Sequence, residues 1–229
     1  MITLKKAVNT ISGQVYDILR DEISSGTYPA GYWLQENELA KQLSVSRSPV
    51  REALRKLVAD RLVVEIPNKG IFVREFSAKD IEEVFDVRVM LESYAIEHIH
   101  ENLTDAGITE FRECLDHLHS THAADDLKSY IGYDTELHNI MIRFSGNALV
   151  ESIYNQVHII IQQFRIYSLK STKRFDKSVE EHENIVHCIL INDTERAIRL
   201  NNEHLTLAKD RIIEYLETLK LTDETTDAK

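Results

Sequence analysis

The stretch "YDTELHNIMIRF", residues 133–144, sets a carboxylate and an imidazole four residues apart. Tyr133, Leu137, Ile140, Met141 and Phe144 recur at spacings of three and four, which predicts an amphipathic helix. Asp134 and His138 then project from one side, at the edge of the apolar stripe. An unpaired carboxylate is costly to bury, so either both groups face solvent or something compensates them. Two more imidazoles fall on apolar helix faces. His182 shares one with Val179, Ile185, Val186 and Ile189, and His204 aligns with Ala197, Leu200, Ala208 and Arg211. One carboxylate and three neutral imidazoles suit a divalent transition metal, with zinc first among zinc, nickel, manganese and iron, and the ion's charge would offset the burial of Asp134. Four protein ligands leave coordination positions for water or a ligand carboxylate. The Asp-x3-His spacing alone also fits a solvated helix edge, and nothing in the linear sequence brings the three helices together. His98, His100, His117, His119, His122 and His187 lie on or near polar faces and read as surface or satisfied core groups.

The rest of the chain defines what must carry these residues. Only 7 Gly and 3 Pro occur in 229 residues, and amphipathic runs are many, so the expected class is mainly α. No run of about 18 apolar residues marks a membrane span, and the N-terminus lacks the apolar stretch of a secretory signal. Cys114 and Cys188 lie within helical patterns without metal-ligand spacing. A cytoplasmic protein with no membrane partner is the expectation. The net charge of -11 at first argues against nucleic acid, but its distribution does not. Residues 1–75 carry 11 Lys+Arg against 9 Asp+Glu, whereas residues 76–229 carry 16 against 29. The first part is free to meet a polyanion.

Within residues 1–75, Val8 to Ser25 reads as a helix with Ile11, Val15, Ile18, Leu19 and Ile23 inside, ended by "GTYPAG". A short helix, "QENELAKQLSV", follows with Leu39, Ala40 and Leu43 inside. In "SVSRSPVREALRKLVADRLVVEI" Ser46 is placed as an N-cap and Pro49 lies in the first turn. Val50, Ala53, Leu54 and Leu57 form the inner face, while Arg47, Arg51 and Arg55 repeat on another. "LVVEI" (62–66) and "IFVRE" (71–75) flank "PNKG", a hairpin with a basic tip. This order describes a winged helix-turn-helix. A helix fits the major groove, arginine offers guanine a bidentate fork, and serine hydroxyls at a helix start bind phosphate. Lys69 on the wing tip reaches backbone or minor groove. The plain alternative for the arginines is a solvated helix face.

"ENELAKQLSVSRSPVREALRKLVADRLV" resembles the DNA-binding signature of GntR-type bacterial regulators. The resemblance implies DNA contacts from Ser46, Arg47, Ser48 and Arg51, with Lys69 and Gly70 in the wing. It also implies a homodimer, a palindromic double-stranded operator and repression. Two positions depart from the pattern. Asn37 stands where some members carry a DNA-contacting arginine, and Arg61 stands where glycine is usual, which costs about 1 kcal/mol if the backbone there is left-handed.

From "EFSAKDIEEVF" onward, Ser77 and Asp80 form a capping-box pattern. Helices are expected near 78–89 and 89–101 (or one bent helix), 105–122, 125–144, 147–169, 176–191 and 194–219. The domain organisation is therefore 1–75 winged helix-turn-helix, 76–78 linker, 79–220 all-α helical bundle and 221–229 polar tail. Residues 79–219 resemble the helical FCD ligand-binding domain of the FadR subfamily of GntR regulators, through "VRVMLE", "DTELHNIMIRFSGN", "EEHENIVHCILIND" and "NNEHLTLAKDRI". The resemblance implies metal ligands at Asp134, His138, His182 and His204. A small carboxylate-containing effector needs a cation and polar donors in an enclosed pocket, for which Arg88, Arg165 and Asn201 are candidates, with His158 and Tyr130 as further lining. Surface ion pairs are the plain reading of the arginines. Two alternatives to the ligand-responsive regulator remain at this level: a metal-dependent hydrolase, which lacks HExxH and a nearby general base, and a regulator that senses the metal itself.

Overall fold

A computed structural model describes residues 10–162, 164–169 and 172–226. The chain divides into two compact units, Met1–Glu75 and Phe76–Lys229. In the first, α1 (Ile11–Ser24) starts at Thr10, whose hydroxyl accepts from the Gly13 N–H at 3.1 Å. The expected start at Val8 lies outside the described residues. Val15, Leu19 and Ile23 are buried as expected, but Ile11 and Ile18 are exposed. Tyr16 takes an inner place instead, because its hydroxyl finds an acceptor in Asp60 at 2.6 Å.

The helix-turn-helix comprises α2 (Glu36–Gln42) and α3 (Arg47–Ala59), and Val50, Ala53, Leu54 and Leu57 are all buried. Ser46 occupies the N-cap position of α3 without a side-chain capping bond. Beyond α3, Arg61 adopts φ 61°, the left-handed geometry that glycine serves in the family pattern. The wing is a three-stranded antiparallel sheet of order β1-β3-β2, from β1 (Trp33–Leu34), β2 (Val63–Ile66) and β3 (Gly70–Val73). Trp33 pairs with Phe72 and Val63 with Val73. The hairpin was expected; β1 was not, since two residues are too short to show a period.

The second unit is all helix among the described residues: α4 (Ala78–Asn102), α5 (Asp105–Ala123), α6 (Leu127–Arg143), α7 (Ala148–Gln162), α8 (Arg165–Leu169), α9 (Thr172–Leu190) and α10 (Thr194–Thr226). The Ser77–Asp80 capping box forms in full, with the Ser77 N–H donating to Asp80 at 2.9 Å and the Asp80 N–H to Ser77 Oγ at 3.2 Å. Of the two readings open for 78–101, the single helix holds, since nothing between Ala78 and Asn102 breaks the ladder. The one expected over 147–169 is two, α7 and the short α8. Of the three residues expected as a linker, Phe76 is buried against Phe164 and Ser77 caps α4. The last helix runs to Thr226, through a polar stretch that holds no Gly or Pro. Ile96, Ile99, Phe111, Leu118, Leu137 and Met141 anchor one apolar cluster of this unit, and Ile81, Phe85, Ile161, Leu205 and Ile212 another. The same helices bury Arg88, Glu92, Asp134, His138, Arg165, His182, Asn201 and His204.

Candidate metal centre and nucleic-acid interface

Ser46, Arg47, Ser48 and Arg51 are exposed at the start of α3, as is Lys69 in the β2–β3 turn. Gly70 opens β3 with φ +117°, and a Cβ there would come within 2.5 Å of Trp33 Nε1. Glycine at the wing is thus required by the backbone and by the indole together. Glu36, the first residue of α2, accepts a bidentate pair from Arg51, Nε at 2.9 Å and Nη2 at 2.8 Å. Arg47 Nη2 lies 3.5 Å from the same carboxylate. The hydrogen bonding from Arg51 holds the Glu36 carboxyl below its ordinary value. Arg51 keeps further N–H donors for a nucleic acid. Nothing in the linear pattern points to Glu36, because fifteen residues and a turn separate it from Arg51.

In the second unit α6, α9 and α10 bring Asp134, His138, His182 and His204 together, one ligating atom from each lying within 4.8 Å of the others. All four are buried, His138 and His182 completely. Each imidazole engages Nδ1 outside the cluster. His138 Nδ1 lies 3.0 Å from Glu92 Oε2, His182 Nδ1 3.3 Å from the Tyr130 hydroxyl, and His204 Nδ1 2.7 Å from Glu181 Oε2. That leaves Nε2 as the inward atom, and bonds of this kind fix the tautomer of metal-binding histidines. His138 Nε2 is buried without a hydrogen-bond partner, and His182 Nε2 sits 3.1 Å from Asp134 Oδ1. Burial pushes the pKa of His138 and His182 down, so both are neutral, the form that ligates. Burial would raise the pKa of Asp134, but Arg165 and then the imidazoles prevail and keep it ionised. The donor set, its burial and the bare Nε2 of His138 fit a divalent transition metal.

Over residues 83–207 the sequence matches the FCD domain, and over residues 11–73 it matches the gntR family of bacterial regulatory proteins. The chain belongs to the GntR family. It is a transcriptional regulator whose N-terminal helix-turn-helix unit is followed by an FCD domain, in a family of regulators rather than enzymes. The gluconate operon transcriptional repressor of Bacillus subtilis is 26% identical over 199 residues, 85% of this chain and 82% of the relative. The crystal structure of a GntR regulator from Rhodococcus sp. RHA1 superposes with a TM-score of 0.76 at 26% identity, covering 89% of this chain and 97% of that one. The Zn2+-bound FCD domain of the regulator TM0439 has a TM-score of 0.51 at 25% identity, covering 63% of this chain and 99% of that domain.

The residues expected to meet an effector divide in two in this GntR regulator. Arg88 and Arg165 line one enclosed pocket with Asp134, Ser168, His204 and the Phe85 ring. Arg165 is ion-paired with Asp134, and Arg88 donates Nε to Glu92 at 2.6 Å. Arg88 Nη2 and Arg165 Nη1 remain buried without hydrogen-bond partners. The pocket's free volume is about 10 Å³, close to what one water needs. Asn201 is elsewhere: its amide donates to Glu92 Oε2 at 2.9 Å, in support of His138. Tyr130 backs His182 and donates to Ser178 at 3.0 Å, and His158 lies 2.6 Å from Gln162 Nε2. From sequence Glu92 stood out only beside Arg88 in "VRVMLE", without an assigned role, and Glu181 was not singled out. Glu92 carried a signal, since it stands four residues from Arg88 on a helix, the spacing of Asp134 and His138. Among the described residues no helix is long and apolar enough to cross a membrane.

Proposed function

We propose that this regulator is a repressor that binds a palindromic operator as a homodimer and answers to a small organic acid at a divalent metal centre. Ser46, Arg47, Ser48 and Arg51 would read and hold the major groove, with Lys69 and Gly70 of the wing against the backbone. Asp134, His138, His182 and His204 would hold the ion, zinc first. When bound, the ion supplies a positive charge with open coordination positions for a carboxylate. Arg88 and Arg165 would hold the rest of the anion. The observation that carries this reading is the shared pocket: two buried guanidinium nitrogens without partners beside a buried cluster of one carboxylate and three imidazoles. A guanidinium in that position satisfies itself best on a carboxylate. The zinc in the TM0439 domain and the repressor role of the gluconate-operon relative support the same direction.

Elemental analysis of the purified protein should find about one divalent ion per chain, lost in His182→Ala. With the ion present, a member of an organic-acid panel should change operator affinity in a fluorescence anisotropy titration. Such coupling requires the acid to bind the two DNA-affinity states unequally. A wild-type protein that neither carries nor takes up a divalent ion sinks the metal centre. A complete panel without effect sinks the effector. The small free volume of the pocket favours one other reading, in which the metal alone is the signal. Operator affinity that follows added zinc and ignores every acid would establish it.

A further inference from the structure

Glu92 is a fully buried carboxylate on α4, and four helices converge on it. Oε1 accepts from Arg88 Nε of α4 at 2.6 Å and from the Tyr154 hydroxyl of α7 at 3.2 Å. Oε2 accepts from Asn201 Nδ2 of α10 at 2.9 Å and lies 3.0 Å from His138 Nδ1 of α6. Ionised, a carboxylate only accepts. His138 must therefore carry its proton on Nδ1, which leaves Nε2, the atom facing Asp134 and the other imidazoles, bare.

We propose that Glu92 is the positioning residue of the metal centre: it fixes the His138 tautomer, so that Nε2 is a ligand and not an N–H. The proposal rests on the reading of Asp134, His138, His182 and His204 as metal ligands. The two oxygens of Glu92 have unequal tasks, and that asymmetry makes the role testable. Arg88 has no acceptor atom, so in Glu92→Gln the single amide oxygen stays with Arg88 and Tyr154. The new NH2 group then faces His138 and Asn201. Asn201 can turn its amide over, because its Oδ1 is buried and has no other hydrogen-bond partner. His138 has one answer only: Nδ1 accepts, and the proton moves to Nε2, where it blocks coordination.

The test uses the full-length chain, imidazole 15N–1H correlation spectra and zinc titrations against a competing chelator. Wild-type His138 should show its proton on Nδ1 in zinc-free protein. Glu92→Gln should move it to Nε2 and weaken zinc binding by about 10–100-fold, the usual scale for losing such a partner. Tyr154→Phe removes a donor from the same carboxylate on the side away from His138. It should keep both the wild-type tautomer and the wild-type zinc affinity, which a merely structural role would not allow. A wild-type His138 protonated on Nε2 overturns the proposal, and this result does not depend on any variant folding. So does undiminished zinc affinity in Glu92→Gln, or an equal loss in Tyr154→Phe. Failure of the wild type to take up zinc overturns the metal reading itself; a wild-type zinc site with an unmoved tautomer in Glu92→Gln overturns Glu92 alone.

Discussion

His158 shows what burial does to one ionisable side chain. Burial first, then the charges of Arg165 and Arg88, push its pKa down to about 3. In the unfolded chain an imidazole titrates near 6.5, about the ordinary value. The folded protein thus holds His158 neutral while the unfolded chain takes a proton, and His138 and His182 are shifted in the same direction. The stability these groups contribute is complete above about pH 6.5 and falls as pH drops toward the folded value, by about 1.4 kcal/mol per pH unit for each group. Urea unfolding with chelator present should show a steep loss of stability from pH 7 to 5, and His158→Leu should remove about one proton from that slope. A stability that holds level or rises on acidification would contradict the burial. At this scale the sequence was informative where helical periodicity applied. Asp134 and His138, four apart at an apolar edge, announced themselves; His182 and His204 did so by sitting among aliphatic neighbours. Glu92 was visible beside Arg88 in "VRVMLE", but its role was not, because that role exists only once four helices meet, and neither Glu181 nor Asn201 could be assigned to an imidazole or a carboxylate without that convergence.

At the scale of elements, α3 was readable almost to the residue, since its inner face keeps the 3.6-residue period and Ser46 and Arg61 mark its ends. The left-handed Arg61 carries the cost that the family pattern avoids with glycine. The two-residue β1 and the break between α7 and α8 were not readable: one is too short for a period, and the other interrupts an apolar run whose composition stays helical throughout. What α3 presents to solvent bears directly on DNA. Arg47 and Arg51 share one acceptor, Glu36, and both are exposed. Arg47→Ala with Arg51→Ala should abolish specific operator binding, while far-ultraviolet circular dichroism stays unchanged because neither side chain packs in the core. Sequence-specific gel shifts retained by the double variant would remove α3 from the recognition role.

On the scale of the whole molecule, a winged helix-turn-helix unit and an FCD domain make a regulator, and the excess of acidic residues lies in 76–229 rather than in 1–75. The proposed homodimer is testable at this scale. Met90 on α4, Leu149 on α7 and Leu207 on α10 are exposed apolar side chains that a second copy could cover. Light scattering should give twice the 26.5 kDa chain mass. Inserting about five base pairs, half a helical turn, between operator half-sites should abolish binding, because a symmetric dimer reads half-sites on one face of the duplex. A monomer that tolerates the insertion would refute the dimer.

The clamp of Glu36 on Arg51 has a further consequence for life on a chromosome. An arginine already partnered by a carboxylate gives random DNA one uncompensated cation fewer to hold, and such cations set non-specific affinity. If Arg51 reads bases as proposed, a site that rewards it for leaving Glu36, or for binding alongside it, would hold the protein longer than one that does not. Visits to random DNA should then be shorter than without the clamp, and Glu36→Gln should steepen the salt dependence of binding to scrambled duplexes.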